Sequence, residues 1–159
     1  RRIRAPSFCS NVVLLDRSGS MTREDMRTGS LCAQAIAGMA DPVTAAEARF
    51  MLFRALNADA LEVKRFDEPV ASCLERFCAL RPFGYTPVRQ SINSAAAQLV
   101  SRRESRKIIF LITDGLCSDA ELLTDIEQDL KRAGIEIVCL GMIFRRFLVF
   151  SQTSSILVK

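Results

Sequence analysis

Apolar and polar positions along the chain fall into two spacings. Val12-Val13-Leu14-Leu15 is a short continuous apolar run, which suits a strand buried on both faces and predicts one over 8–15. Met26, Cys32, Ala33, Ile36 and Met39 recur at helical spacing and predict a helix over about 24–40. Thr22 and Asp25 stand at its start as a capping box, with Asp in place of the preferred Glu. Asp41-Pro42 stops it. Thr44 and Glu47 read as a second cap, so Phe50, Met51, Phe53 and Leu56 are expected on a further helix or a kinked continuation of the first. Leu61 to Phe66 roughly alternates and predicts a strand. After an Asp67-Glu68-Pro69 turn, Val70 to Phe77 is expected as its antiparallel hairpin partner at a sheet edge.

Thr86-Pro87 is a helix start, and Val88, Ile92, Ala95 and Leu99 carry that helix to about Ser101. Ile108-Ile109-Phe110-Leu111-Ile112 is the most apolar run and is expected to be the central strand, ending in Thr113-Asp114-Gly115. Ser118 and Glu121 open a helix with Leu122, Leu123, Ile126 and Leu130 on one stripe, and Gly134 sits where a helix-terminating glycine belongs. Ile135 to Leu140 is another buried strand. Residues 142–159 have no helical period. Their two apolar stretches, 147–150 and 156–158, read as a last edge strand and a frayed end.

Strands alternating with helices give an α/β fold: a mostly parallel central sheet, one antiparallel edge strand and helices on both faces. Residues 1–7 read as an interdomain linker end, 8–141 as one domain and 142–159 as an atypical tail. In such sheets ligands bind beyond the carboxyl ends of the strands. Asp16 and Asp114 both follow a buried strand, and Thr86 stands at a loop-to-helix junction, so all three can reach one rim.

Composition narrows the chemistry. The 159 residues contain no histidine, which removes Ser-His-Asp and Cys-His catalysis and His-ligated zinc. Six cysteines are scattered through apolar segments with no CxxC pair, which favours free thiols in a reducing, cytoplasmic setting over a disulfide framework. No apolar run reaches transmembrane length, and neither a signal peptide nor a membrane role is expected. The net charge of +4 is too mild and too dispersed to point to nucleic acid. The basic stretch Arg102 to Lys107 is better placed to complement a helix dipole.

Asp16-Arg17-Ser18-Gly19-Ser20 leaves the first strand and presents one carboxylate and two hydroxyls. Hard oxygen donors suit a small hard cation such as Mg²⁺. Each residue also has an ordinary reading: Thr86 as a helix cap, Asp114-Gly115 as a turn, Ser18 and Ser20 as loop hydroxyls.

Taken together, Asp16, Ser18, Ser20, Thr86 and Asp114 resemble the metal-ion-dependent adhesion site of von Willebrand factor A (vWA) domains, over roughly 8–141. The resemblance implies a Rossmann-like vWA fold. It implies Mg²⁺, with Mn²⁺ or Ca²⁺ as alternatives, touched directly by Ser18 and Ser20. Thr86, Asp16 and Asp114 would bind directly or through water. Two carboxylates only balance a divalent charge, so the cation stays electrophilic and can take an Asp or Glu carboxylate from a partner protein.

Gly84-Tyr85-Thr86-Pro87 and the run Arg106 to Gly115 look like a bacterial and phage-associated vWA group. That group lies near the nitric-oxide-reductase activation protein and the carboxy-terminal region of the larger cobaltochelatase chain. In it the domain docks on an AAA+ ATPase, which implies a non-enzymatic accessory to a chelatase or remodelling machine. Two other readings stand beside it. One is an extracellular ligand-binding vWA domain. The other is a Mg²⁺-dependent phosphoryl-transfer enzyme with Asp16 as nucleophile, which lacks the expected acid two positions on, since Ser18 stands there. On the docking reading, Asp16→Ala is expected to abolish partner binding and leave the fold intact.

Overall fold

The computed structural model describes residues 9–39, 46–53, 61–82, 88–114, 120–143, 146–151 and 154–157. Its centre is a seven-stranded sheet. The strands are β1 (Cys9–Asp16), β2 (Ala46–Phe53), β3 (Leu61–Lys64), β4 (Arg106–Thr113), β5 (Ile135–Ile143), β6 (Arg146–Ser151) and β7 (Ser154–Leu157). Their spatial order is β3-β2-β1-β4-β5-β6-β7. The inner four, β2, β1, β4 and β5, run parallel. The most apolar run of the sequence, in β4, lies at the middle of the seven, as expected.

The helices are α1 (Arg23–Met39), α2 (Leu74–Cys78), α3 (Val88–Val100) and α4 (Ala120–Arg132). They cover both faces, and alternation along β1 shows how. Val13 and Leu15 pack with Met26, Ala33 and Ile36 of α1 and Phe77 of α2. Val12 and Leu14 pack with Ile92, Ala95 and Leu99 of α3 and Ile126 and Leu130 of α4. Successive strand residues point to opposite faces, so a strand buried on both sides must be apolar at every position. All four of these β1 residues are 0% exposed.

Three expectations need correction. The segment expected as a helix after Thr44 is the strand β2 over 46–53; Thr44 itself and 54–60 lie outside the described residues. Ala, Glu, Arg, Met and Leu favour helix, but by tenths of a kcal/mol each, and an eight-residue parallel ladder on β1 overrides that. Val70 to Phe77 is no strand. It is a 3₁₀ turn (Val70–Cys73) running into α2, with Pro69 setting an extended φ of −64° and ψ of 143° just before it. The antiparallel edge partner is β3, paired with β2. Finally, antiparallel strands occupy both edges and not one: β6 pairs with β5 and β7 with β6. Residues after 141 thus continue the same sheet, as two strands where one and a frayed end were expected.

Candidate metal centre at the ends of strands β1 and β4

β1 ends at Asp16, which is 1% exposed. One of its carboxylate oxygens accepts the backbone N–H of Ser18 at 2.8 Å. The other accepts the hydroxyl of Thr113 at 2.8 Å. Thr113 is the last residue of β4 and is itself buried. Since β1 and β4 are adjacent and parallel, with Leu15 opposite Ile112, Asp16 and Thr113 emerge side by side.

The loop then turns sharply. The N–H of Met21 donates to the Ser18 carbonyl at 3.1 Å, and Met21 is buried beneath the turn. The expected capping box follows. The Thr22 N–H and hydroxyl donate to Asp25 at 2.9 and 2.6 Å, and the Asp25 N–H donates back to the Thr22 hydroxyl at 3.1 Å. Reciprocal capping fixes where α1 begins, and so fixes the far end of the loop.

Between these two anchors the hydroxyls form a relay. Ser18 Oγ and Ser20 Oγ lie 2.8 Å apart, and Ser20 Oγ donates to Asp114 Oδ1 at 3.2 Å. A hydroxyl has one proton to give. With that of Ser20 committed to Asp114, Ser18 is the donor of the first bond. Depth is graded along the relay: Asp16 and Ser18 are buried, Asp114 is half-buried and Ser20 is exposed.

The electrostatics are those of an unbalanced anionic pocket. Burial pushes the Asp114 carboxyl above its usual range, the Ser20 hydrogen bond opposes this, and the carboxylates of Asp16 and Asp25 push it further up. A divalent cation would relieve that repulsion. Every donor is oxygen, as a hard ion requires. Among the described residues no group of three or more His, Cys, Asp or Glu side chains could hold a metal, so an ion here depends on the serine hydroxyls. Ser18, Ser20 and Asp114 are the residues that could touch an ion here, and Asp16, behind them, holds the loop through Ser18.

Four of the five expected site residues therefore converge. The fifth, Thr86, lies outside the described residues, together with the rest of 83–87. Thr113 is the residue that sequence reasoning missed. Its signal was available: a hydroxyl immediately before Asp114, at the end of the central strand.

No family model and no curated protein matches the chain in sequence. Solved structures do match in shape. The BatB protein of Bacteroides thetaiotaomicron superposes with a TM-score of 0.66 at 18% identity, over 83% of this chain and 65% of that one. The VWA domain of SpRpn10 gives 0.64 at 14% identity, over 87% and 78%. The fold is a von Willebrand factor A fold. Manganese-loaded TRAP of Plasmodium vivax shares it, with a TM-score of 0.61 at 15% identity over 86% of this chain and 57% of that one. The chain spans 65% of BatB and 20% of a three-domain fragment of the Mfa5 pilus tip protein of Porphyromonas gingivalis. Against this vWA frame, Asp16 and Asp114 lie at the carboxyl ends of neighbouring parallel strands, where open α/β sheets take their ligands.

Proposed function

We propose that this vWA-fold chain is a non-catalytic docking module, in which a Mg²⁺ ion held by Ser18, Ser20 and Asp114, with Asp16 behind them setting the loop and the charge and Thr86 as a further donor, receives an Asp or Glu carboxylate from a partner protein. The observation that carries this is the hydroxyl relay from Ser18 through Ser20 to Asp114, with Asp16 anchored behind it. The ion would supply an electrophilic centre at the rim. Binding is favoured over phosphoryl transfer because both Asp16 oxygens are engaged by Ser18 and Thr113 in a side chain that is 1% exposed. A nucleophile would need an oxygen facing the substrate. Mn²⁺ is the alternative ion that the TRAP likeness suggests, and Ca²⁺ a further one.

The partner proposed is an AAA+ ATPase or its substrate, on the resemblance of 84–87 and 106–115 to the chelatase-associated group. A cytoplasmic setting goes with it. The five described cysteines, Cys9, Cys32, Cys73, Cys78 and Cys139, are unbridged, which supports that setting over an exported adhesion domain.

Titration calorimetry with MgCl₂ tests the ion site. One equivalent should bind to the wild type, and Ser20→Ala and Asp114→Ala should each weaken it at least about tenfold, since loss of a group that merely orients a ligand already costs that much. No binding of Mg²⁺ or Mn²⁺ by the wild type would overturn the proposal.

A further inference from the structure

A second feature lies beside the ion site. α1 and the α2 turn leave a groove of ≈ 500 Å³ between them. One wall is a single stripe of α1: Arg23, Arg27, Leu31 and Gln34, three or four residues apart. Side chains at that spacing share one helix face. The floor is apolar, made by Met26, Phe77 and Leu80, all buried. On the far side stands Arg81, whose guanidinium donates to the Cys78 and Leu80 carbonyls at 2.9 and 2.7 Å. Those bonds hold it at the end of α2, where a cation complements the helix dipole.

Three features give the groove a definite chemistry. Its charged lining side chains are all arginines. Among the described residues, neither Arg23 nor Arg27 forms an ion pair with a carboxylate. Leu31 is 57% exposed, an apolar group left at the lip of a cationic slot. From Arg23 to Gln34 the wall runs about 16 Å at 1.5 Å per residue. It begins three residues after Ser20, so it continues outward from the ion site.

We propose that this groove binds an acidic, amphipathic segment of a partner protein, with its carboxylates on Arg23, Arg27 and Arg81 and an apolar side chain over Met26, Phe77 and Leu80. Apolar contact supplies the burial, and the arginines set sign and register, because a guanidinium presents a fork of donors that matches a carboxylate. A basic or neutral segment of the same shape would leave the arginines facing no anion. The inference deepens the docking reading: a partner that gives one carboxylate to the ion would lay further acidic residues along α1. The groove does not itself need the ion.

The test uses the whole chain and a fluorescein-labelled peptide of about 12 residues, roughly the length of the groove as a helix. It carries Glu on one face and Leu on the other. Its counterpart has Gln at every Glu. Fluorescence anisotropy is read in EDTA, so that the ion site is silent. The acidic peptide should bind and weaken with added salt, and the Gln peptide should bind at least about tenfold more weakly. Arg23→Gln with Arg27→Gln should reduce acidic-peptide binding by about tenfold, the scale of two exposed charge pairs. Arg132→Gln, on the exposed end of α4, should leave it unchanged. Equal binding of the two peptides, no binding of either, or no effect of the double variant would overturn the proposal. So would capture by phosphatidylserine vesicles without any binding of the acidic peptide, which would mark the arginines as a lipid surface. Loss of Mg²⁺ binding in calorimetry with peptide binding retained in EDTA would sink the ion reading alone.

Discussion

Asp16 would serve two ends at once, and the structure shows one of them directly. It is an anionic member of the candidate metal centre, and it is also the buried acceptor for Ser18 and Thr113. Removing it leaves a buried N–H and a buried hydroxyl without this acceptor, at a cost of about 1–3 kcal/mol for each group left unsatisfied. Asp16→Ala should therefore lose ion binding and stability together, contrary to the expectation of an intact fold. Thr113→Val should lower stability by about 1–2 kcal/mol in urea denaturation, because one Asp16 oxygen loses its donor. Ser20→Ala, at an exposed position, should leave the unfolding free energy within about 0.5 kcal/mol of wild type while weakening ion binding. Equal stability of Asp16→Ala and Ser20→Ala would show that the buried bonds carry no load. The sequence displayed Asp16, Ser18, Ser20 and Asp114 plainly, because their donor types and strand-end positions coincide. It could not display which carboxylate is buried, since that depends on β4 standing beside β1.

The elements deliver these residues through local rules that are mostly visible in the sequence. β1, β4 and β5 announced themselves as apolar runs, and α1, α3 and α4 as helical stripes with recognisable starts or stops. Gly134 takes φ of 69°, the left-handed conformation that its place after α4 requires, and its N–H donates to the Lys131 carbonyl at 3.1 Å. β2 was hidden because its residue types favour helix one at a time, whereas its neighbours β1 and β3 decide the matter together. α2 was hidden because Pro69 marks a hairpin turn or a helix entry equally well from sequence alone. One glycine has an element-scale role that no pattern revealed. Gly29 lies in α1 against the sheet, and a Cβ there would come within 2.6 Å of Leu15 Cδ1 and 3.5 Å of Ile112 Cγ2 and Met142 Cε. Alanine would gain about 1 kcal/mol in helix propensity. Overpacking against a fully buried leucine costs about 1–3 kcal/mol. Gly29→Ala should thus destabilise by about 1 kcal/mol in urea denaturation. It should also weaken Mg²⁺, because displacing α1 displaces the end of the Asp16–Ser20 loop; a stabilised variant would refute the close approach.

The whole molecule keeps its two ends apart. At the end opposite the candidate metal centre, Arg102 reaches Glu104 at 2.6 and 3.1 Å and Ser10 at 3.3 Å, and its guanidinium lies 4.5 Å from the centre of the Phe66 ring. Burial pushes the Glu104 carboxyl up, but the hydrogen bonds from Arg102, its own backbone and Ser10 outweigh that and hold it at about 2. An unfolded glutamate titrates near 4.3. A lowered folded pKa gives stability that is present above the unfolded value and lost as pH falls toward about 2. Glu104→Gln should accordingly cost about 1 kcal/mol near neutral pH, allowing for solvent around the pair, and almost nothing at about pH 2. A cost that does not change with pH would assign the effect to packing. The length of β1 and β4 separates this far end from the rim. Those same strands bear on what the rim can accept. Asp16 and Asp114 hang from adjacent strands, and neighbouring strands stand about 4.8 Å apart. The jaws of the site are thus set by peptide geometry, like a caliper locked at one opening. Substituting side chains can loosen the grip, but refitting the chain to a markedly larger ion would require moving β1 against β4, and a one-residue slip would turn Val12 to Leu15 inside out.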